Sequence, residues 1–223
     1  MHSGIGQISE ILLQNGQPAA RLSCPKGMIP SPGQYLLAGN ASPEPLPVPV
    51  MFTGSAPGGF IAAPVPEFWK PGLELILRGP LGRGFVLPVT AKKVGLIAYD
   101  DPPARLNGLI GYSLIQGAAV VLVCESLTGS LAEDVEVQPL SALIDIVKWA
   151  DYLAFDVARE NLPRLKEMLR ALNQRSSVKE AQVLIRTAIP CGGIAECGVC
   201  SVVTGSGWKM SCKDGPVFDW AEI

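Results

Sequence analysis

The sequence predicts a small antiparallel β-barrel, then an α/β domain, then a short cysteine-rich unit at the C-terminus. Three observations carry this. Up to about residue 88, short apolar runs alternate with proline- and glycine-bearing turns, the rhythm of a barrel. From 89 to 185, strand-length apolar runs alternate with helix-length segments, the rhythm of a helix-covered parallel sheet. From 186 to 223, four cysteines crowd together among glycines.

In the first unit the expected strands are ISEILLQNG, ARLSCP, GQYLLAG, GGFIAA, LELILRGP and GRGFVLP. The stretch from Ser42 to Pro49 carries four prolines, each lacking a ladder donor, and is expected to be a loop or an edge. In the second unit VGLIAY, AVVLVCE, VEVQPL and DYLAFDV are expected strands, and QVLIRTAIP leads into the cysteine segment. ARLNGLIGYSLIQG and SALIDIVKWA are expected helices, and LPRLKEMLRALNQR an amphipathic helix with its basic residues outward. In the third unit SVVT and WKMS form a hairpin around Gly205-Ser206-Gly207.

Composition narrows the function. The chain has 223 residues, 48% hydrophobic, with a net charge of −2. That supports one to three compact units and gives no basic stripe for nucleic acid. The single histidine, His2, excludes chemistry built on several histidines. The uncharged run from Leu106 to Cys124 is long enough to raise a membrane question. Asn107, Ser113 and Gln116 interrupt it, so a buried helix followed by a central strand is expected instead. The N-terminus lacks a basic flank and apolar core, so no signal peptide is expected. Clustered cysteines fit a cytoplasmic metal site better than a disulfide framework, with Cys24 and Cys124 as core residues.

The candidate ligands are Cys191, Cys197, Cys200 and Cys212. Soft iron and sulfide need four thiolates, and the plant-type [2Fe–2S] spacing is C-x4-C-x2-C with a distant fourth. Here five residues separate the first two and two separate the next pair. The longer loop could shift Cys191 or bring Glu196 toward the cluster. Gly192, Gly193 and Gly198 allow backbone amides to approach sulfur. The hairpin returns Cys212 to the loop. A structural zinc site, or unliganded cysteines, are the alternatives that spacing leaves open.

Three motifs carry a resemblance: Cys212-Lys213-Asp214-Gly215-Pro216-Val217-Phe218, Pro32-Gly33-Gln34-Tyr35, and Gly79-Pro80-Leu81-Gly82-Arg83-Gly84-Phe85. With the cysteine loop, they make the chain similar to the electron-transfer subunit of NAD-linked dihydroorotate dehydrogenase. The resemblance implies a ferredoxin-reductase-like architecture: an FAD-binding barrel (1–88), a nucleotide-binding α/β domain (89–185) and a small [2Fe–2S] domain (186–223). It implies an oxidoreductase subunit relaying single electrons, without substrate chemistry of its own, in a hetero-oligomer with a flavin-containing catalytic subunit. Flavin contacts would fall on Phe52, Thr53, Gly79 and Gly82. In that family an arginine opens the Arg-x-aromatic-Ser/Thr flavin motif; here Val50 stands in its place, so FAD is in question and Phe52 and Thr53 could be plain strand residues. Where the family has a glycine-rich dinucleotide loop, this chain has Asp100-Asp101-Pro102-Pro103. Carboxylates repel pyrophosphate and prolines lack amides, so loss of NAD(P)H binding is expected, with Asp101 as a helix cap. A non-redox scaffold with a structural metal is the alternative function. Trp69, Trp149, Trp208 and Trp220 read as packing anchors, and Asp145, Asp151 and Asp156 as caps or solvated charges.

Overall fold

The computed structural model describes residues 2–40, 46–100, 102–126, 131–170 and 180–223. Six antiparallel strands close a barrel: β1 (His2–Gln14), β2 (Gln17–Ser23), β3 (Tyr35–Gly39), β4 (Val48–Ala56), β5 (Gly59–Ala62) and β6 (Glu74–Leu81). Their order around the barrel is β1-β2-β5-β4-β3-β6. Asn15 and Gly16, both at positive φ, make the tight turn from β1 to β2, whose hand matches the strand twist. Alternation fills the interior. In β6, Leu75 and Leu77 point in while Glu74 and Ile76 point out. Leu22, Leu36, Val50, Phe52, Phe60 and Trp69 complete that core.

The second unit is a six-stranded sheet. Its strands are β7 (Lys93–Ala98), β8 (Ala119–Val123), β9 (Val135–Gln138), β10 (Tyr152–Ala158), β11 (Glu180–Arg186) and, far along the chain, β14 (Val217–Asp219). Order is β14-β11-β10-β7-β8-β9, parallel except for β14. Every residue of β10 is buried, as a central parallel strand requires. Tyr152 and Ala154 join the core beneath α1 (Asn107–Ile115). Leu153, Phe155 and Val157 join the opposite core, under α2 (Leu143–Trp149) and α3 (Leu162–Arg170). In α3, Leu162, Leu165 and Leu169 are buried. The run from Leu106 to Cys124 is helix α1 followed by strand β8, and among the described residues no helix is long and apolar enough to cross a membrane.

The third unit holds a hairpin, β12 (Ser201–Thr204) with β13 (Gly207–Met210), then one helical turn, α4 (Ser211–Asp214). The chain then returns to the sheet as β14, beside β11.

Several expectations need correction. GRGFVLP is not a strand: Arg83 makes one isolated bridge, to Pro216. Its amides pair singly, Phe85 with the Pro32 carbonyl and Val86 with the Gln182 side chain of β11, while the Phe85 ring plugs the core beneath α1. The proline-rich stretch gives way to strand at Val48, and Pro49 sits in register with Leu37, near a strand start where proline is tolerated. Residues 41–45, Asp101 and the end of the third expected helix lie outside the described residues. Trp208 is 70% exposed rather than an anchor, because it lies on the open face of a two-stranded hairpin. Asp156 is not solvated; it is buried between two arginines.

Candidate metal centre

Beyond β11, Cys191 opens a loop in which Gly192, Gly193, Ala195 and Gly198 all have positive φ, between 62° and 77°. Such residues curl the backbone so that amides face inward. They also absorb the extra residue before Cys197, and Glu196 stays exposed. The loop presses on β3 and β6: a Cβ on Gly193 would stand 3.0 Å from the Tyr35 hydroxyl, and one on Gly192 3.0 Å from the Arg78 guanidinium. The hairpin supplies the fourth thiol. Ser201 pairs with Met210, and the Ser211 N–H donates to the Cys200 carbonyl at 3.0 Å, which sets Cys212 beside Cys200. The Tyr35 hydroxyl donates to the Cys212 carbonyl at 2.9 Å. Arg159, just past β10, donates to the carbonyls of Val199 and Ser201.

Cys191 shares a hydrogen bond with Cys197 and Cys212 one with Cys200, and the Ala195 amide reaches both Cys191 and Cys212. Burial raises the Cys191 thiol, but hydrogen bonds from Cys197 and from the amides of Ala195, Ile194 and Gly193 outweigh it and bring it down to about 6. Burial pushes Cys212 up to about 12, helped by its hydrogen bond to Cys200 and by the charges of Cys200 and Cys191. Burial, then the same cysteines, push the Tyr35 phenol up, so it stays a proton donor. Cys200 and Cys212 are buried and Cys197 is exposed. A two-iron cluster takes two thiolates per iron, which this pairing suits. A single zinc needs its sulfurs about 2.3 Å from one point. Among the described residues no group of three or more His, Cys, Asp or Glu side chains is placed to hold a metal ion, and this does not separate zinc from a cluster.

The residues implied for flavin lie elsewhere. Phe52 is buried in the barrel core, stacked on Phe60 and against Gly108 of α1. Thr53 is buried, its hydroxyl donating to the Ile61 carbonyl and paired with the Gln14 amide oxygen. Gly79 packs on Leu36, and Gly82 on Gly215 and Pro216. Val50, in the arginine position, is fully buried in the same core. The dinucleotide loop is also occupied. Asp100 accepts from the Ala158 amide, from Asn161 at 2.7 Å and from Arg186. Asp156 accepts from Arg105 at 3.3 Å and Arg186 at 2.8 Å. Pro103 opens the turn before α1, and its neighbour Ala104 packs directly on Ala19 and Ala63 of the barrel. These residues do not fit the pyrophosphate of FAD or NAD(P)H.

A cavity of about 480 Å³ lies between the barrel and the carboxyl ends of β10 and β11, with Ser211 in its wall. Sequence reasoning missed it, along with Arg159, Thr187 and the Arg105–Asp156–Arg186 cluster. Tyr35, through its Pro-Gly-Gln-Tyr motif, and Pro216, through the motif that begins at Cys212, carried a signal.

No protein-family model matches the chain. A 41-residue stretch is 46% identical to sulfhydrogenase 1 subunit gamma of Pyrococcus furiosus, covering 18% of this chain and 14% of that subunit. The NADH-dependent reduced ferredoxin-NADP oxidoreductase, whose structure concerns flavin-based electron bifurcation, matches with a TM-score of 0.75 at 16% identity over 98% of this chain and 89% of that one. Phthalate dioxygenase reductase, a modular structure for electron transfer from pyridine nucleotides to [2Fe–2S], matches with a TM-score of 0.58 at 11% identity, over 95% of this chain and 77% of that one. The closed barrel, the parallel sheet and these likenesses establish that the chain has the ferredoxin-reductase-like fold.

Proposed function

We propose that the chain is an electron-transfer subunit whose working part is a [2Fe–2S] cluster held by Cys191, Cys197, Cys200 and Cys212. The observation that carries this is the hydrogen bonding of those thiols, Cys191 with Cys197 and Cys212 with Cys200, with three backbone amides turned on Cys191. When bound, such a cluster supplies one-electron exchange, at a potential of about −400 mV in plant-type sites. The chain's own residues do the rest. Amides of the 193–195 loop stabilise negative charge on sulfur. Tyr35 ties the Cys212 carbonyl to the barrel, and Arg159 ties the Val199 and Ser201 carbonyls to the sheet. Burial of Cys200 and Cys212 keeps water from one side, while exposed Cys197 presents the other to a partner.

The resemblance to the dihydroorotate dehydrogenase subunit supports a flavin-containing catalytic partner in a hetero-oligomer. The likeness to a sulfhydrogenase subunit also supports work as one subunit among several. The test is a visible spectrum of anaerobically purified protein with iron, sulfide and zinc assayed on the same sample. About two irons and two sulfides per chain are expected, and Cys197→Ser should remove the visible absorption. Zinc without sulfide would sink the reading and leave a scaffold with a structural metal.

A further inference from the structure

Two arginines reach the cysteine loop from different units, one from the sheet and one from the barrel. Arg159, just past β10, donates from Nη1 to the carbonyls of Val199 and Ser201, the residues on either side of Cys200. Its own amide is bonded to the Arg186 carbonyl at 3.1 Å, so the side chain starts from the sheet. Arg78 lies in β6, in register with Ser3 on one side and Leu37 on the other. Its Nη2 stands 3.0 Å from where a Cβ on Gly192 would be, and Gly192 follows Cys191 directly. The two arginines that share a cavity wall with Arg159 are neutralised, Arg105 by Asp156 and Arg186 by Asp156 and Asp100. Arg78 and Arg159 are not: among the described residues no carboxylate lies within ion-pair distance of either. The acids of this neighbourhood are engaged or solvated. Asp214 accepts from the Met210 amide, and Glu160 and Glu196 are exposed.

We propose that Arg78 and Arg159 are positioning residues that raise the reduction potential of the cluster, by charge acting through the loop that carries its ligands. The inference rests on the [2Fe–2S] reading above. Reduction adds one negative charge to a ligand set that is already anionic, and net charge is one of the terms that set such potentials. A fixed cation therefore favours the reduced state. At an effective dielectric of about 20, a unit charge roughly 10 Å away shifts a one-electron equilibrium about tenfold. The exposed acids set the starting value, and each arginine adds its own difference to it. The two arginines also differ in setting. Arg159 is exposed and Arg78 is half-buried. Salt screens an exposed charge strongly and a partly buried one much less, so ionic strength separates the two contributions.

The test is an anaerobic redox titration of the full chain, followed at the visible absorption of the cluster, at about 0.05 M and about 1 M salt. Iron, sulfide and thermal unfolding are measured on the same samples. Arg159→Gln keeps a donor for the two carbonyls and removes the charge. It should hold wild-type iron and sulfide, with a midpoint about 59 mV more negative at low salt, which is tenfold in a one-electron equilibrium. That shift should fall to less than half at high salt. Arg159→Lys keeps the charge and should restore most of the midpoint. Arg78→Gln should give a shift of similar size that survives high salt. An unchanged midpoint in cluster-loaded Arg159→Gln and Arg78→Gln would overturn the proposal and leave the cluster reading standing. Equal shifts in Arg159→Gln and Arg159→Lys would also overturn it, because they would show a role in loop geometry rather than charge. Wild-type protein without iron and sulfide would overturn both.

Discussion

Tyr35 joins the barrel to the ligand segment through one side chain. Its ring lies against Gly82 and its hydroxyl reaches the Cys212 carbonyl, with Gly193 close by. Tyr35→Phe removes that bond and leaves a buried carbonyl unpaired. A loss of about 1–3 kcal/mol in denaturant unfolding is expected, and on the proposed function the electron-resonance signal of the cluster-loaded, reduced protein changes as well. The thiols themselves titrate in opposite directions. In metal-free protein, Cys191 falls from an ordinary 9.0 to about 6, so its contribution to stability grows as pH rises from 6 to 9 and is lost on acidification through 6. Cys212 is raised from 9.0 to about 12, so its contribution is full below 9 and is lost as pH rises through 12. Metal-free protein should show a stability maximum near pH 9 whose acid side flattens in Cys191→Ser. Iodoacetamide at pH 7 should label Cys191 well before Cys212, read by peptide mass.

At the level of elements, three segments that look like separate motifs in the sequence turn out to be one joint. A Cβ on Gly33 would meet Val217 at 2.6 Å, and one on Gly82 would meet the Gly215 carbonyl at 2.6 Å. The Gln34 side chain donates to the Gly82 carbonyl, and Phe85 donates to the Pro32 carbonyl. Gly82→Ala combines a φ of 73° with that clash, and a cost of about 1–3 kcal/mol is expected by denaturant unfolding. The hairpin and cysteine loop were legible because glycine spacing and strand alternation are local. The joint was not, since its partners lie far apart in the chain. The strand nature of β14 was hidden inside a segment that reads as a cysteine motif. The stretch 82–88 misled because apolar residues that plug a core look like a strand. Asp156 misled because a carboxylate gives no local sign of the arginines that the fold brings to it. Asp156→Asn leaves Arg105 and Arg186 short of a buried counter-charge, and should cost about 3–5 kcal/mol by thermal or chemical unfolding.

Across the whole molecule, barrel and sheet share packing rather than merely touching. Met51 of β4 and Phe85 pack in the core beneath α1, and Gly108 of α1 packs on Phe52. Unfolding followed by tryptophan fluorescence and by far-ultraviolet circular dichroism should therefore give one coincident transition, and separated midpoints would show independent units. The broad architecture was legible because barrel and parallel-sheet rhythms differ in period. The cavity was not, because it is made of side chains from both units. The position of β14 has a further consequence. Residues 187–216 leave the sheet at β11 and re-enter it beside the same strand, with Leu184 opposite Val217 and the Ile185 amide bonded to the Pro216 carbonyl. The ligand segment is thus pinned at both ends to one rigid slab. On the proposed function, the distance from the ligand segment to a partner's cofactor is therefore set by where that partner docks rather than by a swing of the segment.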